Sequence, residues 1–270
     1  MTTSSASGAS GAPSAAAGRT FLITGGNTGI GLATAIALAR DGGRVYIACR
    51  SVTAGETAVS VIKSESGSGF VWLLPLDLAS LSSVRACARA FLAHDEPLHV
   101  LVNNAGVGGQ RGLTADGFEL EFGVNHLGHF ALTELLLDRL KASGPDARIV
   151  NVSSDSHYGA HGIDFAVLRR PTATFTGGRE YCVSKLCNVL HAQELARRLD
   201  AAAVHSYALH PGVVASDIWR RIPRLAAGCR RSCSASKSSR PAVKSGRTIS
   251  PSITQRGGNS ASVALTSSGK

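Results

Sequence analysis

The sequence predicts an α/β fold in which a parallel sheet is covered by helices on both faces. Two patterns support this prediction. Short apolar runs rich in β-branched residues alternate with longer amphipathic segments, which is the order expected of strands joined by crossover helices. These short runs are apolar at nearly every position, as is typical of strands buried on both faces. Together the patterns predict a three-layer α/β/α domain with a doubly wound, Rossmann-type sheet.

The individual elements are assigned from these runs in chain order. Each strand is one apolar run, and most of them end just before Gly, Asp, Asn or Ser. Strands are predicted near residues 20–24, 44–49, 70–76, 98–103, 147–152 and 204–209. Each helix is an amphipathic segment between two strands, and helices are predicted over about 29–40, 54–65, 80–93, 114–140 and 179–200.

The two ends of the chain differ in composition from the middle. Residues 1–18 are almost all Ser, Ala, Gly, Thr and Pro and are predicted to form a disordered leader. Residues 19–223 are assigned to the Rossmann-type domain. Residues 224–270 show no apolar periodicity and are predicted to be a disordered, basic tail of low complexity.

The net charge of +10 comes from the C-terminal end of the chain. Residues 220–270 contain 11 Lys and Arg and no acidic residue, which leaves 17 basic against 18 acidic residues elsewhere. The basic balance therefore does not indicate a nucleic-acid site on the domain, and no specific nucleic-acid partner is expected.

Composition also limits the compartment and the metal chemistry. The leader lacks the basic start and apolar run of a secretion signal, and no stretch reaches the roughly 18 apolar residues of a membrane span. A cytoplasmic protein with free thiols is expected. Cys229 and Cys233 lack a second ligand pair, and the histidine pairs lack a third ligand, so no metal site is expected.

A glycine-rich segment follows the first strand and opens the first helix. This segment, Thr24 to Gly31, is called the glycine loop below. Glycine allows a tight turn and a close approach of the backbone to a pyrophosphate, and the helix N-terminus offers free N–H groups to the anion. A dinucleotide is therefore predicted to bind at Gly25, Asn27, Thr28, Gly29, Ile30 and Gly31.

The end of the second strand predicts which dinucleotide binds. NAD-preferring domains usually place a carboxylate there to hold the ribose 2′-hydroxyl. Here Arg50 follows the strand and no acidic residue is adjacent. Arg50 favours a 2′-phosphate, so NADP(H) is predicted over NAD(H), unless Arg50 is only a solvated surface charge.

Polar motifs also follow the later strands. Taken singly, Asp77 and Asn104 could be turn residues, because such side chains bond nearby backbone. As an ordered set with the glycine loop, the motifs resemble the short-chain dehydrogenase/reductase family from residue 20 to about 217. They are Asp77-Leu78, Asn103-Asn104-Ala105-Gly106, Val124-Asn125-His126, Val152-Ser153-Ser154, Tyr181-Cys182-Val183-Ser184-Lys185 and His210-Pro211-Gly212-Val213-Val214.

Within the family the sequence is most similar to the retinol dehydrogenase branch. The segments 44–50, 123–130 and 181–185 and the wide gap from Ser154 to Tyr181 all resemble it. The light-dependent protochlorophyllide reductases are a minor alternative. By resemblance, the cofactor would also contact Asp77, Leu78, Asn104, Ala105, Gly106, Tyr181, Lys185, Pro211, Gly212 and Val213.

Tyr181 and Lys185 have the chemistry that reduction of a carbonyl by a nicotinamide requires. The reaction needs a group that gives a proton to the oxygen or takes it back. A free tyrosine titrates near 10, and Lys185 lies one helical turn after Tyr181, where its positive charge would favour the phenolate. The nicotinamide's own positive charge would add to this effect.

The resemblance assigns two further catalytic residues. It implies that Ser154 holds the substrate oxygen and that Asn125 holds a water that relays protons through Lys185. Ser153 is the adjacent alternative for the serine. Asn125 could instead be a helix-interior residue bonding backbone, and either serine could be part of a strand-end turn.

The family pattern stops after about Pro223, which indicates an altered or truncated C-terminal end. The usual lid, seventh strand and closing helix are not legible, so the strand at 204–209 is expected to be an exposed edge. The resemblance implies an NADP(H)-dependent oxidoreductase of alcohols and aldehydes or ketones, with a lipophilic substrate if the likeness extends that far. The alternative is a catalytically impaired NADP(H)-binding or scaffold protein. Because many family members form dimers or tetramers, a homo-oligomer is also compatible.

Overall fold

The computed structural model describes residues 14–200 and 203–212. Within this part of the chain, six parallel strands form one sheet in the order β3-β2-β1-β4-β5-β6, which is the doubly wound order predicted from the sequence. The strands are β1 (Thr20–Thr24), β2 (Arg44–Cys49), β3 (Val71–Pro75), β4 (Val100–Asn103), β5 (Ala147–Val152) and β6 (Val204–Leu209).

Helices connect consecutive strands. Serine side chains start two of them, because Ser51 accepts the backbone N–H of Ala54 and Ser80 accepts that of Ser83. The helices are α1 (Gly29–Arg40), α2 (Val52–Ser66), α3 (Leu81–Leu92), α4 (Leu120–Phe122), α5 (Gly128–Ala142) and α6 (Gly178–Arg198). A π turn, Gly123–Leu127, joins α4 to α5. It is called the catalytic turn below because it contains Asn125, which the sequence predicts to be catalytic.

Alternate strand residues enter two separate apolar cores. Ile23 and Ile47 pack with residues of α1 and α2, whereas Leu22 and Tyr46 pack with residues of α3, α5 and α6. Successive side chains of a strand point to opposite faces, so the two cores lie on opposite sides of the sheet. This arrangement confirms the three-layer prediction.

The predicted helix over 114–140 begins six residues too early. Residues 114–119 form a turn closed by an antiparallel bridge between Leu113 and Glu119, and the helical residues start at Leu120. Gly117 has φ +76°, and the Asp116 carboxylate accepts the N–H of Leu81 at the start of α3. The side chain of Asp116 therefore bonds across to another helix, which amphipathic periodicity cannot show.

The last five residues of the predicted leader, 14–18, are among the described residues. Residues 14–18, assigned to the leader, form a turn in which Ala17 donates to the Ser14 carbonyl. The Ala16 side chain is buried against Phe21 and Val100. The rest of the predicted leader, the end of the predicted domain at 213–223 and the tail at 224–270 lie outside the described residues, as does any seventh strand.

In the described part of the chain, none of the helices combines the length and apolar character needed to span a bilayer.

Candidate active site

Three positions of the glycine loop require a residue without a side chain. Gly25 and Gly29 have φ of +67° and +55°, a region that other residues rarely adopt. A Cβ at Gly31 would lie 2.3 Å from the Gly25 carbonyl oxygen and 2.6 Å from Nδ2 of Asn104. No side chain caps α1 at Thr28, and its first turn has no acidic residue. The loop thus presents a glycine cradle and an open helix N-terminus to a phosphate group.

Thr24 ties the glycine loop to the segment after β4. Its buried hydroxyl oxygen accepts the backbone N–H groups of Asn104 at 2.9 Å and of Ala105 at 3.0 Å. The Asn104 side chain donates in return to the Thr24 carbonyl at 2.8 Å. Gly106 directly follows Ala105 in this hydrogen-bonded segment. The glycine loop and the segment after β4 therefore form one surface, although Gly25 and Asn104 are 79 positions apart in the chain.

The remaining predicted cofactor residues lie at the same edge of the sheet, with different environments. Arg50 is exposed directly after β2. Asp77 accepts the N–H of Ala79, whereas the Leu78 side chain is buried in the core. Pro211 is half-buried after β6, and Gly212 has φ +84°. Val213 lies outside the described residues.

Ser154, Tyr181 and Lys185 are brought together at the ends of β5 and α6. Tyr181 is 5% exposed and hydrogen-bonds the Ser154 side chain. Lys185 donates from Nζ to the Val152 carbonyl at 3.0 Å, and this nitrogen lies 5.5 Å from the centre of the Tyr181 ring. Ser153 is buried and donates to the Lys185 carbonyl at 2.8 Å. The geometry therefore favours Ser154 over Ser153 as the serine beside the phenol.

Burial shifts the pKa of both Tyr181 and Lys185. Burial raises the pKa of Tyr181 to about 12; the Ser154 bond opposes this shift and the Glu121 charge adds to it. Burial also lowers the pKa of Lys185 to about 8, while Glu121 favours the ammonium. Removal from water penalises both charged forms. The combined effect of Lys185 and the positive nicotinamide on the phenolate stays a prediction.

Asn125, in the catalytic turn, uses its whole side chain to hold other parts of the protein. Its Oδ1 accepts the N–H of Val107 at 2.8 Å, and its Nδ2 donates to the Val107 carbonyl at 2.9 Å and to Ser184 at 3.0 Å. A primary amide has two N–H donors, and both are engaged. In this structure Asn125 positions the backbone after β4, in line with the alternative that its side chain bonds backbone. With both N–H groups engaged, Asn125 could contact a water only through its side-chain or backbone carbonyl oxygen.

The segment after β6 closes the site on one side. His210 accepts the N–H of Asp155 at 3.3 Å through Nδ1, and its Nε2 lies 3.4 Å from an oxygen of the Asp155 carboxylate. Ser153 donates its N–H to the Leu209 carbonyl at 2.8 Å. Pro211 and Gly212 are thus placed beside the serine motif.

Comparison with known proteins identifies the family. The family model described as short chain dehydrogenase matches residues 19–167, more than half of the chain. The chain belongs to the short-chain dehydrogenase family.

Two relatives place this short-chain dehydrogenase in the retinol dehydrogenase-like branch. It is 52% identical over 204 residues to retinol dehydrogenase 12 of Homo sapiens and 50% identical over 204 residues to retinol dehydrogenase 11 of Homo sapiens. Each match covers 75% of this chain but only 64% and 63% of the respective relative. The chain therefore matches less than two thirds of the length of these relatives.

A solved structure supports the fold of this short-chain dehydrogenase. The Pseudomonas aeruginosa RhlG/NADP active-site complex superposes with a TM-score of 0.60 at 27% identity. The match covers 82% of this chain and 80% of that chain.

Two buried residues at the site of this short-chain dehydrogenase were not predicted. His129, interpreted from the sequence as a packed or surface histidine, contacts both Thr24 and Asn125. Glu121 is fully buried, and burial raises its pKa to about 8. The only signal in the sequence was their spacing, since 121, 125 and 129 are each one helical turn apart.

Proposed function

We propose that this short-chain dehydrogenase is an NADP(H)-dependent oxidoreductase that interconverts an alcohol and an aldehyde or ketone, with Tyr181 as the acid/base. The observation that supports it best is the grouping of Ser154, Tyr181 and Lys185 at the edge of the sheet that also bears the glycine loop. Carbonyl reduction needs a proton donor and an anchor for the oxygen, and these residues provide both.

The proton chemistry follows from the environment of Tyr181. Because the pKa of Tyr181 is about 12, the phenol carries its proton at neutral pH and can donate it to a carbonyl oxygen. The Ser154 hydroxyl, hydrogen-bonded to the Tyr181 side chain, can donate to the same oxygen. Burial of Tyr181 limits the access of water to the phenol. In the opposite direction Tyr181 takes the proton back from the alcohol.

The residues of the glycine loop fit a dinucleotide. The tight turn that the positive φ of Gly25 and Gly29 allows, and the uncapped start of α1, suit a pyrophosphate. When bound, NADP(H) would supply or accept the hydride, and its oxidised nicotinamide carries a positive charge. Arg50, exposed at the end of β2, would hold the 2′-phosphate. NAD(H) remains the alternative cofactor and is distinguished by comparing the two affinities.

The substrate proposed here is a lipophilic alcohol or carbonyl compound, by likeness to the retinol dehydrogenases. A cytoplasmic location and a homo-oligomeric state are two further proposals. Fractionation of cells expressing the chain, and sedimentation of the purified protein, test them.

The central experiment follows NADPH absorbance at 340 nm with a panel of aldehydes that includes retinaldehyde. Tyr181→Phe should lower turnover by about a thousandfold or more, because the proton donor is lost, while NADPH affinity changes less than about threefold. Tyr207→Phe is the control, since Tyr207 is exposed on β6. NADPH binding by the wild type without turnover of any aldehyde would favour a non-catalytic binding protein instead.

A further inference from the structure

A chain of hydrogen bonds joins the glycine loop to the catalytic turn through His129. His129 is 2% exposed. Its Nε2 lies 2.8 Å from the Thr24 hydroxyl, and its Nδ1 lies 3.0 Å from the carbonyl oxygen of Asn125. Thr24 and His129 are 105 positions apart in the chain. One side chain therefore contacts the dinucleotide-binding surface and the catalytic turn at the same time.

The available donor groups determine the direction of the two hydrogen bonds that the His129 ring makes. The Asn125 carbonyl has no proton, so His129 must donate to it from Nδ1. A neutral imidazole has one N–H, so Nε2 is bare and accepts the hydroxyl proton of Thr24. The Thr24 oxygen in turn accepts the N–H groups of Asn104 and Ala105. These groups can satisfy one another in a single tautomer of the ring.

The surroundings hold His129 in this neutral form. Burial lowers the pKa of His129 to about 3, against a bond to Asn125 that raises it. The charges of Lys185, His126 and His191 lower it further. A second ring proton would also face the Thr24 hydroxyl, whose oxygen already accepts two N–H groups. The ring is therefore neutral at pH values well above 3, and the direction of both bonds stays the same there.

We propose that His129 is a positioning residue that couples the order of the dinucleotide-binding surface to the backbone of the catalytic turn. Its contact with Thr24 fixes the hydroxyl that holds Asn104 and Ala105. Its contact with Asn125 fixes the residue that holds Val107 and reaches Ser184 on the helix of Tyr181. The inference rests on the proposed function, because it assigns a role within the same site.

Two substitutions separate the two contacts of the ring. In His129→Asn the amide nitrogen takes the place of Nδ1, so the bond to Asn125 is kept and the bond to Thr24 is lost. In His129→Gln the amide group takes the place of Nε2, so an acceptor for Thr24 is kept and the donor to Asn125 is lost. His191→Gln is the control, because His191 is a buried histidine whose Nε2 has no hydrogen-bond partner.

The experiment measures NADPH affinity, turnover at saturating NADPH and the hydrogen exchange of peptides covering residues 120–130. His129→Asn should weaken NADPH binding by about fivefold or more with turnover close to wild type, since one hydrogen bond beside the cofactor loop is lost. His129→Gln should lower turnover by about tenfold with NADPH affinity close to wild type. NADPH should slow exchange at 120–130 in the wild type and in His191→Gln, but less in either His129 variant.

The outcomes distinguish this inference from the proposed function. If both His129 variants lose affinity and turnover in equal measure, or if NADPH slows exchange at 120–130 equally in all proteins, His129 is only a packing residue. If the wild type binds NADPH but reduces no carbonyl, the proposed reaction is wrong. In that case the coupling through His129 is tested by NADPH affinity and by hydrogen exchange at residues 120–130, because neither measurement requires turnover.

Discussion

Glu121 is a carboxylic acid held completely away from solvent at the start of the catalytic turn. Its Oε1 accepts the N–H of Gln110, whereas Oε2 is buried without a hydrogen-bond partner. It also lies against the N-cap of α6, since a Cβ at Gly177 would be 3.0 Å from Oε1. Burial, with the charges of Glu119 and Glu180, raises its pKa to about 8. Such a group makes stability depend on pH.

Replacing Glu121 with Gln should change that dependence. The pKa of Glu121 is raised from the usual 4.5 of a glutamate to about 8 in the folded protein, so between these values the folded state binds more protons than the unfolded state. Wild-type stability should therefore fall as the pH rises through this window, and the loss is complete above about pH 8. Glu121→Gln removes the titration, so its stability relative to wild type should rise by on the order of a few kcal/mol from pH 5 to pH 9.

Urea denaturation at several pH values measures this difference. Asp138→Asn is the control, because the Asp138 side chain is fully exposed on α5. The prediction would be contradicted if the free energies of unfolding of Glu121→Gln and wild type differed by the same amount at every pH.

Arg50 is the residue on which cofactor choice is predicted to depend. A charge-assisted bond between a guanidinium and a phosphate contributes about 1.5–3 kcal/mol. Arg50→Ala should therefore weaken NADPH binding by about tenfold or more and leave NADH binding nearly unchanged. Fluorescence titration with both cofactors measures the ratio, and Arg40→Ala on the exposed side of α1 is the control. Equal losses for both cofactors would show that Arg50 does not select the phosphate.

At the scale of elements, the first residue of α5 packs tightly against the segment that follows β3. A Cβ at Gly128 would lie 2.7 Å from the carbonyl oxygen of Leu78 and 3.0 Å from its side chain. Because a backbone oxygen cannot rotate aside, α5 would have to move. This contact also explains why Leu78, although its side chain is buried in the core, lies next to the catalytic turn.

Gly128→Ala should destabilise the protein by about 1–3 kcal/mol through this overpacking. It should also lower turnover, because α5 continues directly from the turn that holds Asn125. Chemical denaturation measures the first effect. Gly69→Ala is the matched control, since no atom lies within 4 Å of a Cβ at Gly69. Equal stability of the two variants would refute the fitted contact.

At the scale of the whole molecule, β6 is the last strand of the described sheet. Within residues 14–200 and 203–212 it pairs with β5 alone. Tyr207 and Leu209 on this strand are 47% and 40% exposed. An exposed apolar edge strand is a template for pairing with another chain.

Tyr207→Lys should therefore reduce association between chains, because a charged residue disfavours pairing along an edge strand. Sedimentation velocity over a range of concentrations measures the effect. Tyr158→Lys introduces the same charge at a residue that is 66% exposed in the connection after β5, and it should leave association unchanged. Equal effects of the two substitutions would point to net charge rather than to the edge.

The sequence by itself determined the fold, and it named candidate site residues that include Ser154, Tyr181 and Lys185 but neither Glu121 nor His129. The bounds of β1, β2, β5, β6 and α1 agree with the apolar runs, because burial on two faces imposes a pattern on neighbouring residues. Glycine positions such as Gly25 were likewise predictable, since positive φ is a local constraint. The spacing of Tyr181 and Lys185 required only that both lie on one helix.

Tertiary structure alone decided how these residues act on one another. The bond from Thr24 to His129, the bond from Ser153 to the Lys185 carbonyl and the raised pKa of Tyr181 all depend on groups distant in the chain or on burial. The turn at 114–119 depends in the same way on a bond from Asp116 to α3. Desolvation and hydrogen bonding depend on the groups that surround a residue in the folded protein. The periodicity and spacing of the sequence therefore cannot show the direction of a pKa shift or the partner of a hydrogen bond.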